Sequence, residues 1–476
     1  MRARASLSLC IALAACLLAA QPQVTITPDV QAALDRISAA SLRGNLSFLS
    51  SDLLEGRDTP SRGLDIAAEF IASQFRRATL EPAGDDGYFQ TAHLVTRKAN
   101  LEGFTLELSA GEEHFTAKAA DVIVSSPAAL DLTNAPLVKP DAAEPIAGKV
   151  LIGERRDFAR GSMLRDPAIP LVILVGTAAT RGNVAALRIP NDPEGKGPVL
   201  IRLSGDAAAR FLATLKPGVT ATVSMHLDAP LETPVTARNV VGVLRGSGDE
   251  LKNSCVLVSA HYDHLGMKPT GEGDRIYNGA NDDGSGTVSV IELASALAGL
   301  PHHPKRSIVF VAFFGEEKGL VGSHYYALHP VFPLDKTVAD VNLEQLGRTD
   351  GDGGTQRANV TGFEYSTVTE YLVAAGEATG VKVLKNEQRS DGFFRSSDNY
   401  SLAKEGVPAH TVSVTYLFPD YHQPGDEWQK IDYENLARVD RMLALGVFAI
   451  ADSVEPPHWI KRPSASTEPR ASASER

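Results

Sequence analysis

The sequence predicts an α/β protein with a mostly parallel central sheet sandwiched by helices and a β-rich module inserted ahead of most of it. Three observations support this. From Asn239 onward, short apolar runs alternate with amphipathic helical stretches, the pattern of a parallel sheet covered on both faces. Between about Leu101 and Leu231 the chain breaks instead into short β-like pieces punctuated by Pro and Gly. At 476 residues it is also long enough for two or three domains.

Taken in chain order, Arg2 and Arg4 precede the apolar run Leu7 to Ala20. That run is too short to span a bilayer and reads as an export signal over residues 1–20. A periplasmic or secreted protein is expected. Leu13-Ala14-Ala15-Cys16 also resembles a lipobox, which would anchor the mature chain through Cys16. Only Cys10, Cys16 and Cys255 occur, so no disulfide framework forms, and Cys255, in an apolar strand, reads as a buried inert thiol.

Residues 25–100 are expected to begin the main domain, with helices over Ala32 to Leu54 and Gly63 to Leu80; Ile66, Ala67, Phe70, Ile71 and Phe75 mark a buried stripe. Residues 101–235 form the inserted module, with strands such as Lys149 to Ile152 and Pro170 to Val175. Residues 236–456 carry strands at Val256 to Ala260, Ile308 to Phe314, Val338 to Leu343 and Ala409 to Val414. Helices alternate with them at Thr287 to Ala298, Leu320 to Leu328, Val368 to Ala378 and Tyr433 to Val454. Residues 457–476 are polar and Pro/Ser-rich, the composition of a disordered tail.

Lys and Arg number 46 against 58 Asp and Glu, a net charge of −12. This argues against a nucleic-acid partner, and no segment reads as a membrane span.

Open α/β sheets build their sites beyond the carboxyl ends of the strands, and those are the positions where this chain places polar residues. After Val256 to Ala260 comes His261-Tyr262-Asp263; after Ile308 to Phe314 comes Gly315-Glu316-Glu317; after Leu343 comes Glu344; and past Val414 a loop brings Tyr421-His422. Gly279 to Gly286, GANDDGSG, opens a helix between the first two. A lone strand-end His is usually a hydrogen-bonded structural residue, and a lone Glu-Glu pair usually a solvated helix start. Adjacent carboxylates such as Asp282/Asp283 and Glu316/Glu317 repel each other, and a divalent cation makes that repulsion useful. Imidazole with carboxylate is the donor set of zinc, or of manganese or cobalt. His261 would bind metal through one nitrogen, with Asp263 accepting from a ligand His or orienting the cluster. His264, His302 and His303 show no partner at suggestive spacing, and Asp398 reads as a helix N-cap or a supporting carboxylate. No HExxH, P-loop, dinucleotide fingerprint or nucleophile elbow is present.

The ordered series SAHYDHLG, YNGANDDGSG, FFGEEKGLVGS, NLEQLGR and YHQPGDEW resembles the co-catalytic zinc exopeptidases. That group includes secreted bacterial aminopeptidases, glutamate carboxypeptidase II and, more distantly, glutaminyl cyclases. The resemblance covers roughly Leu54 to Val454, counting LLEGRDTPSRG, and makes the insert similar to a protease-associated domain. It implies two zinc ions bridged by Asp282, one completed by His261 and Glu344 and the other by Glu317 and His422. It further implies Glu316 as general base, Tyr421 as donor to the oxyanion, and a cis peptide at Asp282-Asp283. Glu344 departs from the pattern, because the family usually has Asp there. The implied activity is an aminopeptidase acting on peptides. The alternatives are a dipeptide-selective metallocarboxypeptidase or a non-catalytic, receptor-like binding module on the same scaffold. A glutaminyl cyclase fits less well, since the second metal's ligands are retained.

Overall fold

The computed structural model describes residues 22, 24–125, 128–140, 146–158, 161–164, 166–176, 183–192, 197–216 and 219–462. The expected export segment, with Cys10 and Cys16, and residues 463–476 of the expected tail lie outside them. The described strands form a ten-stranded and an eight-stranded sheet.

Across the larger sheet the order is Lys382–Leu384, Arg357–Val360, Ala409–Ser413, Thr337–Leu343, Cys255–His261, Ser307–Phe313, Leu231–Leu244, Phe89–Lys98 and Ala186–Arg188, with the tenth strand, Glu81–Pro82, pairing with Leu231–Leu244 off this path. Cys255–His261 pairs in parallel with both Ser307–Phe313 and Thr337–Leu343, and the latter pairs in parallel with Ala409–Ser413. The chain thus leaves Cys255–His261 for a neighbour on one side and then crosses to its other side. Such a reversal opens a crevice at the strands' carboxyl ends.

Period-2 alternation sends the side chains of these strands into two different cores. Val256, Val258 and Ala260 join the cluster that contains Leu293 and Leu443, whereas Cys255 and Leu257 join the one that contains Tyr326 and Leu402. Cys255 is fully buried, and desolvation pushes its thiol up to about 12, as an inert thiol requires. Helix Arg62–Arg77 starts where the Ser61 hydroxyl accepts from Leu64 N, and it buries Leu64, Ala67, Ala68, Ile71, Ala72 and Phe75 along one stripe. Each large apolar side chain buried this way contributes roughly 1.5–3 kcal/mol. Helix Tyr433–Asp452 is capped by the Asp432 carboxylate on Asn435 N.

Three sequence expectations are revised. Residues 32–54 are not one helix but Pro28–Leu34, Ala39–Leu49 and a 3-10 turn Asp52–Arg57. The Thr27 and Ser38 side chains cap the two helices separately, and Ser51 accepts from Leu53 N at the turn. The start of the expected disordered tail is ordered: Trp459 bridges Ser366, and its indole N–H donates to Gly406 O at 2.8 Å. The expected insert boundaries are not clean either. The eight-stranded sheet runs from Thr105–Ala110 to Ala221–Leu227, with its own apolar core. Ala186–Arg188, however, leaves that unit to pair with Val95, Thr96 and Arg97 on the larger sheet. No described helix is long and apolar enough to cross a membrane.

Candidate active site

The crevice is built by residues at or just past the carboxyl ends of the central strands. His261 ends its strand, 1% exposed. Its Nε2 lies 3.4 Å from Asp282 Oδ1, and its Nδ1 lies 3.2 Å from Asp263 O. Asp282 precedes a cis peptide to Asp283. The segment is held from outside: the backbone N–H groups of Asn281 and Asp282 donate to the Asp426 carboxylate at 3.0 Å. Asp283 Oδ1 accepts from Gly286 N at 3.0 Å and from Gln345 N at 3.1 Å, which ties this turn to the end of the Glu344 strand. Gly286 is required there, because a Cβ would sit 2.2 Å from Leu343 O.

Around Asp282 the nitrogen and carboxylate atoms gather in two triads, His261–Asp282–Glu344 and His264–Asp282–Glu317, each with its ligand atoms within 4.8 Å of one another. His422 Nε2 joins the second, 3.1 Å from Asp282 Oδ2 and 3.3 Å from Glu317 Oε1. The structure therefore brings together all five residues expected to ligate metal, and Glu344 reaches the cluster despite its extra methylene. It also adds His264, which the sequence reading set aside: this imidazole is fully buried, with Nδ1 2.8 Å from Glu317 Oε1. Glu317 lies 53 positions along the chain, so no local spacing could reveal the pair. His422 sits at φ 54°. The Tyr421 ring stacks on His422 at 4.0 Å.

A donor set facing a cation should leave its own lone pairs unused. That is the case here: His261 Nε2, both ring nitrogens of His264 and Glu317 Oε1 are buried without hydrogen-bond geometry to any neighbour. They approach one another at contact distance yet aim past one another. Buried polar atoms are rarely left so, and the mixed N/O set suits a divalent ion such as zinc.

Asp263 orients the site rather than entering either triad. Its Oδ1 accepts from Glu316 N at 3.1 Å and its Oδ2 from the Thr59 hydroxyl at 3.1 Å. Burial pushes the Glu316 carboxyl well above the ordinary range; His261 opposes this, and Glu317 and Glu344 reinforce it. Burial also raises the Tyr421 hydroxyl, with Asp282 and Glu317 adding to it, so the phenol keeps its proton. Asp398 caps no backbone N–H with its side chain; it is fully buried, and its carboxyl is pushed up to about 7 by burial against the charge of His261.

Sequence reasoning assigned no role to Arg57, although it lies in LLEGRDTPSRG. Its guanidinium is 1% exposed and donates to Tyr262 O at 2.8 Å, Asn278 O at 2.7 Å, Gly279 O at 3.0 Å and Leu49 O. It thereby clamps the loop after His261 to the loop before Asp282. Burial lowers it to about 10, opposed by Asp263, Asp426 and Asp283.

Residues 239–447 match the model of peptidase family M28. This part of the chain is similar to that family. Aminopeptidase YwaD of Bacillus subtilis (strain 168) is 26% identical over 294 residues, 60% of this chain and 61% of that protein. A probable zinc metalloprotease of Pyrenophora tritici-repentis is 36% identical over 203 residues, 40% of this chain and 43% of that protein. The chain thus spans less than two thirds of the length of these relatives. Among solved structures, an aminopeptidase from Aneurinibacillus sp. strain AM-1 superposes with a TM-score of 0.58 at 20% identity, covering 92% of this chain and 98% of that one. The zinc aminopeptidase BSAP from Bacillus subtilis gives a TM-score of 0.52, covering 87% and 95%. At these identities the likeness is one of fold, and the chain shares their mixed α/β architecture.

Proposed function

We propose that this chain is an exported zinc exopeptidase of the aminopeptidase type, removing N-terminal residues from peptides. The observation that carries this reading is the convergence of two ligand triads on one shared carboxylate, Asp282, with the half-buried Glu316 beside them. The names of the relatives, aminopeptidase and zinc metalloprotease, support it. His261 and Glu344 would hold one ion and Glu317 and His422 the other, with Asp282 between them and His264 backing Glu317. Glu344 takes the place of the usual Asp. When bound, the ions supply Lewis acidity toward the scissile carbonyl and a lowered pKa for the attacking water.

The chain's own groups carry the proton. Glu316 accepts it from the water, whose oxygen forms the new bond to the carbonyl carbon. As the C–N bond breaks, Glu316 returns that proton to the departing nitrogen. A carboxyl whose pKa is raised by burial is suited to both halves of this exchange. Tyr421, still protonated, donates to the oxyanion. Asp263 fixes the backbone of Glu316 and the loop past His261. The inserted β unit is read as a protease-associated domain, the helices as covering both faces of the central sheet, and residues 1–20 as the export signal.

The test is an assay of the zinc-loaded protein on aminoacyl p-nitroanilides, their N-blocked counterparts, and N-blocked peptides with a free carboxyl end. Hydrolysis confined to free-amine substrates is expected. Turnover only of blocked peptides with a free carboxylate would establish a carboxypeptidase instead.

A further inference from the structure

Arg348, at the end of NLEQLGR, belongs to neither triad yet touches both segments that must meet for the second triad to form. It is only 6% exposed. Its backbone N–H donates to Asn281 Oδ1 at 2.9 Å, beside that of Gly347 at 2.8 Å, so its main chain is fastened to the residue before Asp282. Its guanidinium reaches the other way. Nε and Nη2 donate to the two oxygens of Asp350 at 2.9 and 2.6 Å, a fork that fixes the plane, and Nη1 donates to Asp420 Oδ2 at 2.9 Å. Asp420 stands just ahead of Tyr421-His422.

We infer that Arg348 is a positioning residue for His422: its side chain holds the loop that carries this imidazole against the turn that carries Asp282, and so sets the affinity of the second metal site but not of the first. This rests on the two-metal reading above and adds what governs one half of it.

The loop requires such a hold. His422 comes from the stretch between Ala409–Ser413 and Trp428–Lys430, and its side chain is 14% exposed where those of His261 and His264 are 1% and 0%. Its φ of 54° lies in the left-handed region, which a residue with a Cβ keeps only where its surroundings enforce it. The enforcement runs through a stack of rings. The Arg348 guanidinium lies 5.1 Å from the Phe418 ring centre, Phe418 packs edge-on against Tyr421 at 5.8 Å, and Tyr421 stacks on His422 at 4.0 Å. The main chain follows the same path, since Tyr421 N donates to Phe418 O at 3.1 Å and Gln423 N to Asp420 O at 2.9 Å. Lys430 Nζ adds a second cation on Asp420 Oδ2 at 3.0 Å. One planar guanidinium can serve two carboxylates and an aromatic face together, which an ammonium cannot.

The first triad is placed by the sheet instead. His261 ends its strand, and Glu344 N donates to Val412 O at 3.1 Å on the neighbouring one. Truncating the Arg348 side chain leaves its backbone bond to Asn281, and with it the Asp282 turn, in place. Only the His422 side of the cluster is released.

The experiment measures zinc dissociation constants by equilibrium dialysis against zinc alone, for Arg348→Ala in two backgrounds: Glu344→Ala, which keeps His422, and His422→Ala, which removes it. The substitution should weaken zinc by about 10–100-fold in the first background and change nothing in the second, because a residue that acts through His422 is silent once His422 is gone. Arg348→Lys in the first background should recover part of the loss. Asp420→Asn, which leaves Arg348 on Phe418 and Asp350, should weaken zinc in the same background-dependent way, and it decides the matter if Arg348→Ala does not fold. Equal losses in both backgrounds, or no loss in the first, overturn the inference and leave the two-metal reading intact. A parent chain that takes up fewer than two zinc ions overturns that reading, and this inference with it.

Discussion

Asp263 and Glu316 are joined side chain to backbone: Asp263 Oδ1 accepts the Glu316 N–H at 3.1 Å, so the tip of one strand fixes the loop that follows its parallel neighbour. Replacing Asp263 by Asn keeps the shape but removes the charge and offers an N–H where an acceptor is needed. Asp263→Asn should lower zinc affinity and kcat/KM by about 10–100-fold, a common cost of disturbing residues that orient metal ligands. Equilibrium dialysis with zinc alongside steady-state kinetics checks both, and parent-like values would remove Asp263 from this role.

Glu316→Gln addresses the proposed proton carrier. The amide is isosteric, and the backbone N–H that Asp263 holds is untouched. The variant should bind metal and melt like the parent yet lose about 10²–10⁴ in kcat. A parent-like rate would assign the proton to another group.

Metal content should divide along the two triads. Glu344→Ala leaves His264, Asp282, Glu317 and His422 in place, so metal analysis should find about one ion in the variant against the two expected of the parent. Zinc should stabilise the metal-free parent by about 2.7 kcal/mol at a hundred times its dissociation constant, read as a raised melting temperature. A chelator should reverse this and abolish turnover. Equal stoichiometry in parent and variant would exclude Glu344 as a ligand.

Arg57 should be sensitive for a reason unconnected with chemistry. Its side chain satisfies four buried carbonyls at once. Arg57→Met leaves them without donors, at roughly 1–3 kcal/mol each where water cannot enter. Arg57→Lys keeps the charge but not the planar fork and should fall between the two. Denaturant unfolding of the metal-free proteins measures this, and a loss below about 1 kcal/mol for Arg57→Met would show that water replaces the clamp.

His410 should make the protein acid-sensitive. It is fully buried: Nδ1–H donates to Thr361 O at 2.7 Å, and Nε2 accepts from the Ser366 hydroxyl at 2.6 Å. Burial lowers it from 6.5 to about 4. The unfolded chain therefore binds this proton more readily than the folded one. The stabilising contribution is complete above about pH 6.5, is lost as pH falls through the window down to about 4, and amounts to roughly 3 kcal/mol. In His410→Gln, the decline of melting temperature between pH 6.5 and 4 should be shallower than in the parent.

Much of this was legible in the sequence because the signals are local. Strands at 255–261, 307–313, 337–343 and 409–413 and the helices between them follow from period and length. The residues past their ends follow from the rule that places sites there. Long-range hydrogen bonds were not legible. His264 meets Glu317, Asp426 caps the backbone at Asn281, and Arg57 answers carbonyls as far away as Gly279. Each looks like an ordinary polar residue until the fold supplies its partner. Helix breaks at Asp35 and Ser50 were missed for the opposite reason: apolar spacing carried the pattern straight across caps that stop it.

The Ala186–Arg188 segment crosses from the smaller sheet to become the outermost rung of the larger one, against Val95 to Arg97. A chain trimmed to the peptidase half alone would lose this rung and bare a ribbon of unpaired amides on its neighbour. Such a ribbon is a template for other molecules to add to. The two units are therefore better expressed together, since excising the smaller one invites self-association even where every candidate metal ligand survives.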